Sequence, residues 1–277
     1  MPKAFSKHSI EISGTRILYW TNNNQTKPPI LFVHGFRGDH RGLLETAKYF
    51  KDYYCIIPDL PGYGVSDTWT TKKHTLQNYA EFLDMFCKSL HLQKYTVIGH
   101  SLGATLAIIF AQKFPSAITK IALVAPVVSS HSIEGTLTAL YYNVARVLPT
   151  RIRRTFMINQ LTDAFANAML LKSAPLKKKL TLIRDGLQNI EHLREIVIIE
   201  NFISIYETDP FIHATKLSMP VIIFAGTRDR LCPKHNMKKL CATMPNCIYT
   251  PIPHEGHIVP LEHPKLLSSY ILHSLAV

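Results

Sequence analysis

Short, apolar, β-branched runs alternate with longer helical stretches along this chain, and that alternation constrains the fold more than any other feature. Pro29-Ile30-Leu31-Phe32-Val33, Tyr54–Ile57, Tyr95–Ile98, Lys120–Val124 and Pro220–Gly226 each read as a buried strand. Helical segments separate the first four, which predicts a mainly parallel sheet covered by helices. Ahead of them, Ile10-Glu11-Ile12 and Arg16–Trp20 flank the turn Ser13-Gly14-Thr15, a hairpin for one sheet edge. The 277 residues are enough for one large α/β domain with an insertion.

Between about Val128 and His213 the strands vanish. Leu137–Leu148, Phe156–Leu171, Leu176–Leu187 and Leu193–Ile205 have helical apolar spacing, and Pro149, Pro175 and Pro210 punctuate them. The expected organisation is a core of residues 1–127 and 214–277, with 128–213 inserted as a helical cap that roofs the site. Tyr141, Tyr142 and Phe156 on the cap are candidates to line a substrate pocket.

Chemistry enters at Gly99-His100-Ser101-Leu102-Gly103, between the strand Tyr95–Ile98 and the apolar helix that starts with Ala104. A G-x-S-x-G in that position is a nucleophile elbow, a tight turn that holds a serine hydroxyl out at the top of a sheet. Its two glycines give the backbone room. Serine needs a base to take its proton and an acid to orient that base. Asp229 follows the strand ending at Gly226, and His257 sits in the loop His254-Glu255-Gly256-His257. These two complete the required order of serine, acid and histidine. His254 is the nearest rival to His257. Glu255 is expected to face solvent and Asp59 to be structural. The amides of Leu102, just after the serine, and Phe36, in the loop His34-Gly35-Phe36-Arg37-Gly38, are candidate oxyanion donors. His34 is expected to bond behind that loop, and it joins the candidate pocket residues.

His34-Gly35-Phe36, Pro58-Asp59-Leu60-Pro61-Gly62-Tyr63-Gly64-Val65-Ser66, the elbow, Gly226-Thr227-Arg228-Asp229 and Gly256-His257-Ile258-Val259-Pro260 together resemble the α/β-hydrolase fold superfamily, in its serine esterase and lipase branch. The resemblance implies an eight-stranded, mainly parallel sheet flanked by helices, and a helical cap. It also implies Ser101 as nucleophile, Asp229 as acid and His257 as base, with Phe36 and Leu102 amides around the oxyanion. The expected reaction is hydrolysis of a small-molecule acyl bond in an ester, thioester or lactone, without metal or organic cofactor. Carbon–carbon bond hydrolases and aminopeptidases of the same fold are alternatives, as is a non-catalytic ligand-binding member. An aminopeptidase would want cap carboxylates such as Glu191, Glu195, Glu200 or Glu207. An epoxide hydrolase or haloalkane dehalogenase is disfavoured, because those relatives carry aspartate at the elbow.

The formal charge of +12 invites a nucleic-acid partner. No nucleic-acid-binding motif accompanies it, so no such partner is expected. Arg151-Ile152-Arg153-Arg154 and Lys177-Lys178-Lys179 are short basic runs, suited to a solvated helix face or to an anionic surface. No apolar run is long enough for a transmembrane helix, and the basic start of the chain lacks the core of a secretory signal. The five cysteines form no C-x-x-C pair. They predict a reducing cytoplasm and no structural disulfide.

Overall fold

In the computed structural model, the chain is described over residues 5–128, 133–157 and 194–276, with the side chains of 133–138 and 154–157 outside that description. β1 (Ser6–Ile12) and β2 (Thr15–Thr21) form the expected hairpin, with Ile12 paired to Thr15. Ser13 and Gly14 both have positive φ, the mirror-image turn that suits the twist of a two-residue hairpin. β2 then pairs antiparallel with β4 (Tyr54–Pro58), and the remaining pairings are parallel. The eight strands lie in the order β1-β2-β4-β3-β5-β6-β7-β8. Here β3 is Pro29–Val33, β5 Tyr95–His100, β6 Ile118–Val124, β7 Val221–Gly226 and β8 Cys247–Ile252. This is the α/β-hydrolase fold that the sequence leads one to expect.

Strand alternation splits the core into two layers. Leu31, Val33, Ile56, Val97, Ile121 and Ile223 face α2 (Leu76–Ser89) and α3 (Leu102–Lys113). Ile30, Phe32, Ile57, Ile98, Ala122 and Phe224 face the other way, onto α1 (Arg41–Ala47) and the C-terminal helix. Every residue of α3 from Leu102 to Ala111 is buried, so this helix is a rigid central support. After β3 the chain runs to β4 on one side, and β5 returns on the other. That reversal opens a crevice at the carboxyl ends of β3 and β5, the usual ligand position in open α/β sheets.

Four described helices lie between β6 and β7: α4 (Ile133–Val147), α5 (Thr150–Met157), α6 (Glu195–Glu207) and α7 (Pro210–Ala214). α6 is fastened to the segment before α2. Glu200 accepts from the His74 amide at 2.8 Å and bonds its Nδ1 at 3.0 Å, while Ser204 accepts from the Leu76 amide at 2.9 Å. α8 (Lys234–Ala242) precedes β8, and α9 (Val259–Glu262) and α10 (Pro264–Ala276) close the chain.

One expectation is corrected here. Cys241, at the end of α8, and Cys247, at the start of β8, form a disulfide across six residues of sequence. The helix-to-strand turn brings their Cα atoms to 5.3 Å, inside the range a disulfide spans. Cys55, Cys87 and Cys232 are buried free thiols. Among the described residues, no helix is long and apolar enough to cross a membrane.

Candidate active site

Ser101 sits between β5 and α3 at φ 55 and ψ −119, a left-handed backbone that a residue with a Cβ adopts only under constraint. Its neighbours show the constraint. A Cβ on Gly99 would stand 2.2 Å from the Gly103 carbonyl oxygen, and one on Gly103 would stand 2.2 Å from that of Val33. The turn therefore closes only with glycine at both positions. The Ser101 amide donates to the Val124 carbonyl at 2.9 Å, which pins the turn to β6.

The hydroxyl of Ser101 lies 2.9 Å from Nε2 of His257. Nδ1 of the same ring lies 2.9 Å from Oδ2 of Asp229. All three residues are buried. An ionised carboxylate only accepts, so Nδ1–H donates to Asp229 and the Nε2 lone pair faces the serine hydroxyl. Oδ1 of Asp229 accepts from the Leu231 and Cys232 amides at 2.9 and 3.0 Å. Burial alone would raise the Asp229 carboxyl. The bond and charge of His257 and these two amides outweigh it, and the carboxyl sits below its ordinary value.

β7 and β8 bring the acid and the histidine together. Gly226 at the end of β7 packs against the His257 loop so closely that a Cβ would stand 2.2 Å from the Glu255 carbonyl oxygen. The Arg228 amide donates to the same carbonyl at 2.9 Å. His254, the rival histidine, is exposed beside Arg228. Glu255 is buried, not solvent-facing as expected: its carboxylate bonds Nδ1 of His263 at 2.7 Å.

The loop after β3 meets Ser101 directly. A Cβ on Gly35 would lie 3.2 Å from the Ser101 Cβ. The Gly38 amide folds back onto the Gly35 carbonyl at 3.1 Å, with Phe36 and Arg37 at the tip of the turn. Leu102 is the first residue of α3, so its N–H has no acceptor within the helix. Leu102 thus follows the serine directly, and Phe36 follows Gly35, which packs on it.

His34 makes the bonds behind the loop that were expected of it. It is buried, its Nε2 accepts from the Leu60 amide at 3.1 Å, and its Nδ1 lies 2.9 Å from the Gly35 carbonyl. The ring ties the loop after β3 to the loop after β4, and burial lowers its pKa. Asp59 accepts from the amides of His40 and Val65 and from the His40 ring.

Of the pocket candidates, Tyr142 stacks on Phe202 of α6 with ring centroids 4.4 Å apart, and Tyr141 meets Tyr142 edge-on at 5.2 Å. Phe202 lies 6.1 Å from Phe36. An aromatic chain therefore links α4 and α6 to the loop beside Ser101. The side chain of Phe156 lies outside the described residues. Sequence reasoning missed Phe202, whose only signal was its place in the helical stretch Leu193–Ile205.

Cys232 was missed as well. Its thiol lies 3.2 Å from the Ala125 and Pro126 carbonyls and 3.8 Å from His257 Nδ1. It joins the acid loop to the end of β6. Burial and the Asp229 charge push the thiol well above its ordinary pKa. Ligating atoms of Asp229, Cys232 and His257 lie within 4.8 Å of one another, as do those of Asp39, His40 and Asp59. In both groups the carboxylates already hold hydrogen bonds to amides and to a histidine or an arginine.

A family profile described as alpha/beta hydrolase fold matches residues 28–264. The chain belongs to the alpha/beta hydrolase fold family. The uncharacterized hydrolase YugF of Bacillus subtilis is 23% identical, over 94% of this chain and 94% of its own length. The human monoacylglycerol lipase ABHD6 is 21% identical, over 90% of this chain and 76% of its own length. Among solved structures, an esterase from Exiguobacterium antarcticum superposes with a TM-score of 0.83 at 15% identity, covering 98% of this chain and all of that one (100%). The chain is thus a hydrolase of the α/β fold with lipases and esterases among its similar proteins.

Proposed function

We propose that this chain is a serine hydrolase that cleaves a carboxylic ester, or a related thioester or lactone, through an acyl-enzyme on Ser101. The observation that carries this reading is the unbroken hydrogen-bond chain from Asp229 through His257 to Ser101, with 2.9 Å at each link. His257 takes the hydroxyl proton while Ser101 Oγ bonds the substrate carbonyl carbon. The carbonyl oxygen becomes the oxyanion, for which the Phe36 and Leu102 amides are the donors in this reading. As the carbon–oxygen bond to the alcohol breaks, His257 returns the proton to the leaving alcohol. Water then attacks the acyl carbon, His257 takes its proton, and the acid leaves with Ser101 restored. Asp229, held ionised, steadies the imidazolium in each half-reaction.

Residues 128–213 serve in this reading as a cap, with the Tyr142–Phe202 pair bordering the acyl site. Of the cap carboxylates an aminopeptidase would want, Glu200 is bonded to His74 and Glu191 lies outside the described residues. The cytoplasmic expectation loses one of its premises, because the Cys241–Cys247 bridge stands where no disulfide was expected.

The test is a hydrolysis screen of p-nitrophenyl esters of graded chain length, alongside thioesters and aminoacyl anilides, with fluorophosphonate labelling in parallel. Ester turnover and labelling at Ser101 support the reading. Tight ligand binding without turnover or labelling would replace it with a binding role.

A further inference from the structure

The end of β6 touches both the elbow and the acid loop. The Val124 carbonyl accepts from the Ser101 amide at 2.9 Å. The next two carbonyls, of Ala125 and Pro126, each lie 3.2 Å from the Cys232 thiol. Ala125 turns there with φ 49, a backbone that a residue with a Cβ adopts only when its surroundings hold it. Its amide donates to the Phe224 carbonyl of β7 at 2.7 Å, and its own carbonyl faces the thiol. From Cys232 the contacts run on to the acid and the histidine. The Cys232 amide donates to Asp229 Oδ1 at 3.0 Å, and the sulfur lies 3.8 Å from His257 Nδ1. Asp229, His257 and Ser101 then complete a closed circuit of contacts back to Val124.

The chemistry of the thiol suits this place. Burial, and next the Asp229 charge, push it well above its ordinary value, so it keeps its single hydrogen and can donate to the β6 carbonyls. Nδ1 of His257 carries the hydrogen that points to Asp229, so toward the sulfur the imidazole is a donor and the sulfur a weak second acceptor. We propose that Cys232, in the serine-hydrolase reading on which this rests, is a positioning residue: its thiol ties the loop that carries Asp229 to the strand end that holds the Ser101 amide, and so sets the alignment of the Asp229–His257–Ser101 chain. The competing role is plain space-filling, and it predicts differently. Valine fills the position but donates nothing. Serine is smaller yet keeps the donor.

The test compares Cys232→Ala, Cys232→Val and Cys232→Ser in the full chain. Two quantities are read: kcat and KM on a short ester, and the proton resonance of His257 Nδ1–H. Alanine and valine should each lower kcat by about 10–100-fold, the cost of a small misplacement of reacting groups, with KM within a few-fold. Their Nδ1–H resonance should shift or broaden. Serine should restore both the rate and the resonance to near wild type. Circular dichroism and urea midpoints show which variants are folded; where valine does not fold, the alanine–serine pair decides. Wild-type kcat and an unmoved resonance in the folded valine or alanine variant would reduce Cys232 to space-filling and overturn the proposal. So would a serine variant as impaired as alanine. A wild type that neither turns over esters nor labels with fluorophosphonate would defeat the hydrolase reading instead, and the resonance alone would then decide whether Cys232 aligns the Asp229–His257 pair.

Discussion

The ring of His100 donates from Nε2 to the backbone carbonyl of His257 at 3.0 Å. The variable residue of the elbow thereby holds the loop that carries His257. Burial, and next the nearby His257, push the His100 pKa down to about 3. In the unfolded chain a histidine titrates near about 6.5. Between those values the unfolded chain binds a proton that the folded chain does not. Stability is therefore full above about pH 6.5 and falls as the pH drops toward about 3, by up to about 1.4 kcal/mol per pH unit. His34 and His74 are lowered by burial too, and share the sign. Urea midpoints of His100→Gln should fall less than those of wild type between about pH 7 and pH 4. Parallel pH dependence in the two proteins would dismiss His100 as a source of acid sensitivity.

Ser101→Ala should reduce ester kcat by about 10⁴–10⁶ with the fold intact, because the remaining amides and binding groups give only residual catalysis. Steady-state kinetics on a freshly purified variant decides this. Turnover near wild type would exclude Ser101 as the nucleophile.

Asp229→Asn keeps the shape of the acid but turns a donor toward Nδ1 of His257, which favours the wrong tautomer. A loss of roughly 10³–10⁴ in kcat is expected. Combined with His257→Ala, the loss should be far smaller than the product of the single losses, since the groups act as one unit. Multiplicative losses would point to a different acid.

The three free thiols should resist alkylation in the folded chain. All are buried, and burial raises Cys87 to about 12 and Cys232 well above its ordinary value. The thiolate is the reactive form, so little of it exists near neutral pH. Thiol titration should read close to zero under native conditions and three per chain in guanidinium. Cys232→Ala removes the group facing the Ala125 and Pro126 carbonyls, and should cost about 1–3 kcal/mol in denaturant unfolding. Rapid native labelling of Cys232 would contradict the packing around Asp229.

Tyr142→Ala opens the aromatic chain that runs from α4 through Phe202 to Phe36. Relative kcat/KM for long and short esters should change by about 10–200-fold, the reach of an apolar pocket. Fluorophosphonate labelling should stay within a few-fold of wild type. If both esters change in proportion, Tyr142 supports the fold and not selectivity.

The sheet and the positions around it were readable because their signals are local. β-Branched apolar runs mark β3 to β7, the Ser13-Gly14 turn marks the hairpin, and two glycines mark the elbow. The contacts that escaped notice join residues far apart in sequence. Glu200 meets His74 across 126 residues and Cys232 meets Ala125 across 107, and no local period reports either. Glu255 was read as a solvent-facing neighbour of His257, yet its partner His263 lies on the far side of α9 in sequence. The Cys241–Cys247 bridge escaped because its spacing matches no common motif and depends on how α8 turns into β8.

The distribution of the three hydrogen-bonded residues over the chain also has a temporal side. Ser101 follows β5, near the middle of the sheet, whereas His257 comes only after β8, the last strand in both sequence and sheet order. A ribosome-bound chain that has not yet released β8 carries the serine without its base. In the proposed reading, Ser101 therefore cannot be activated until β8 and the loop that follows it have joined the sheet.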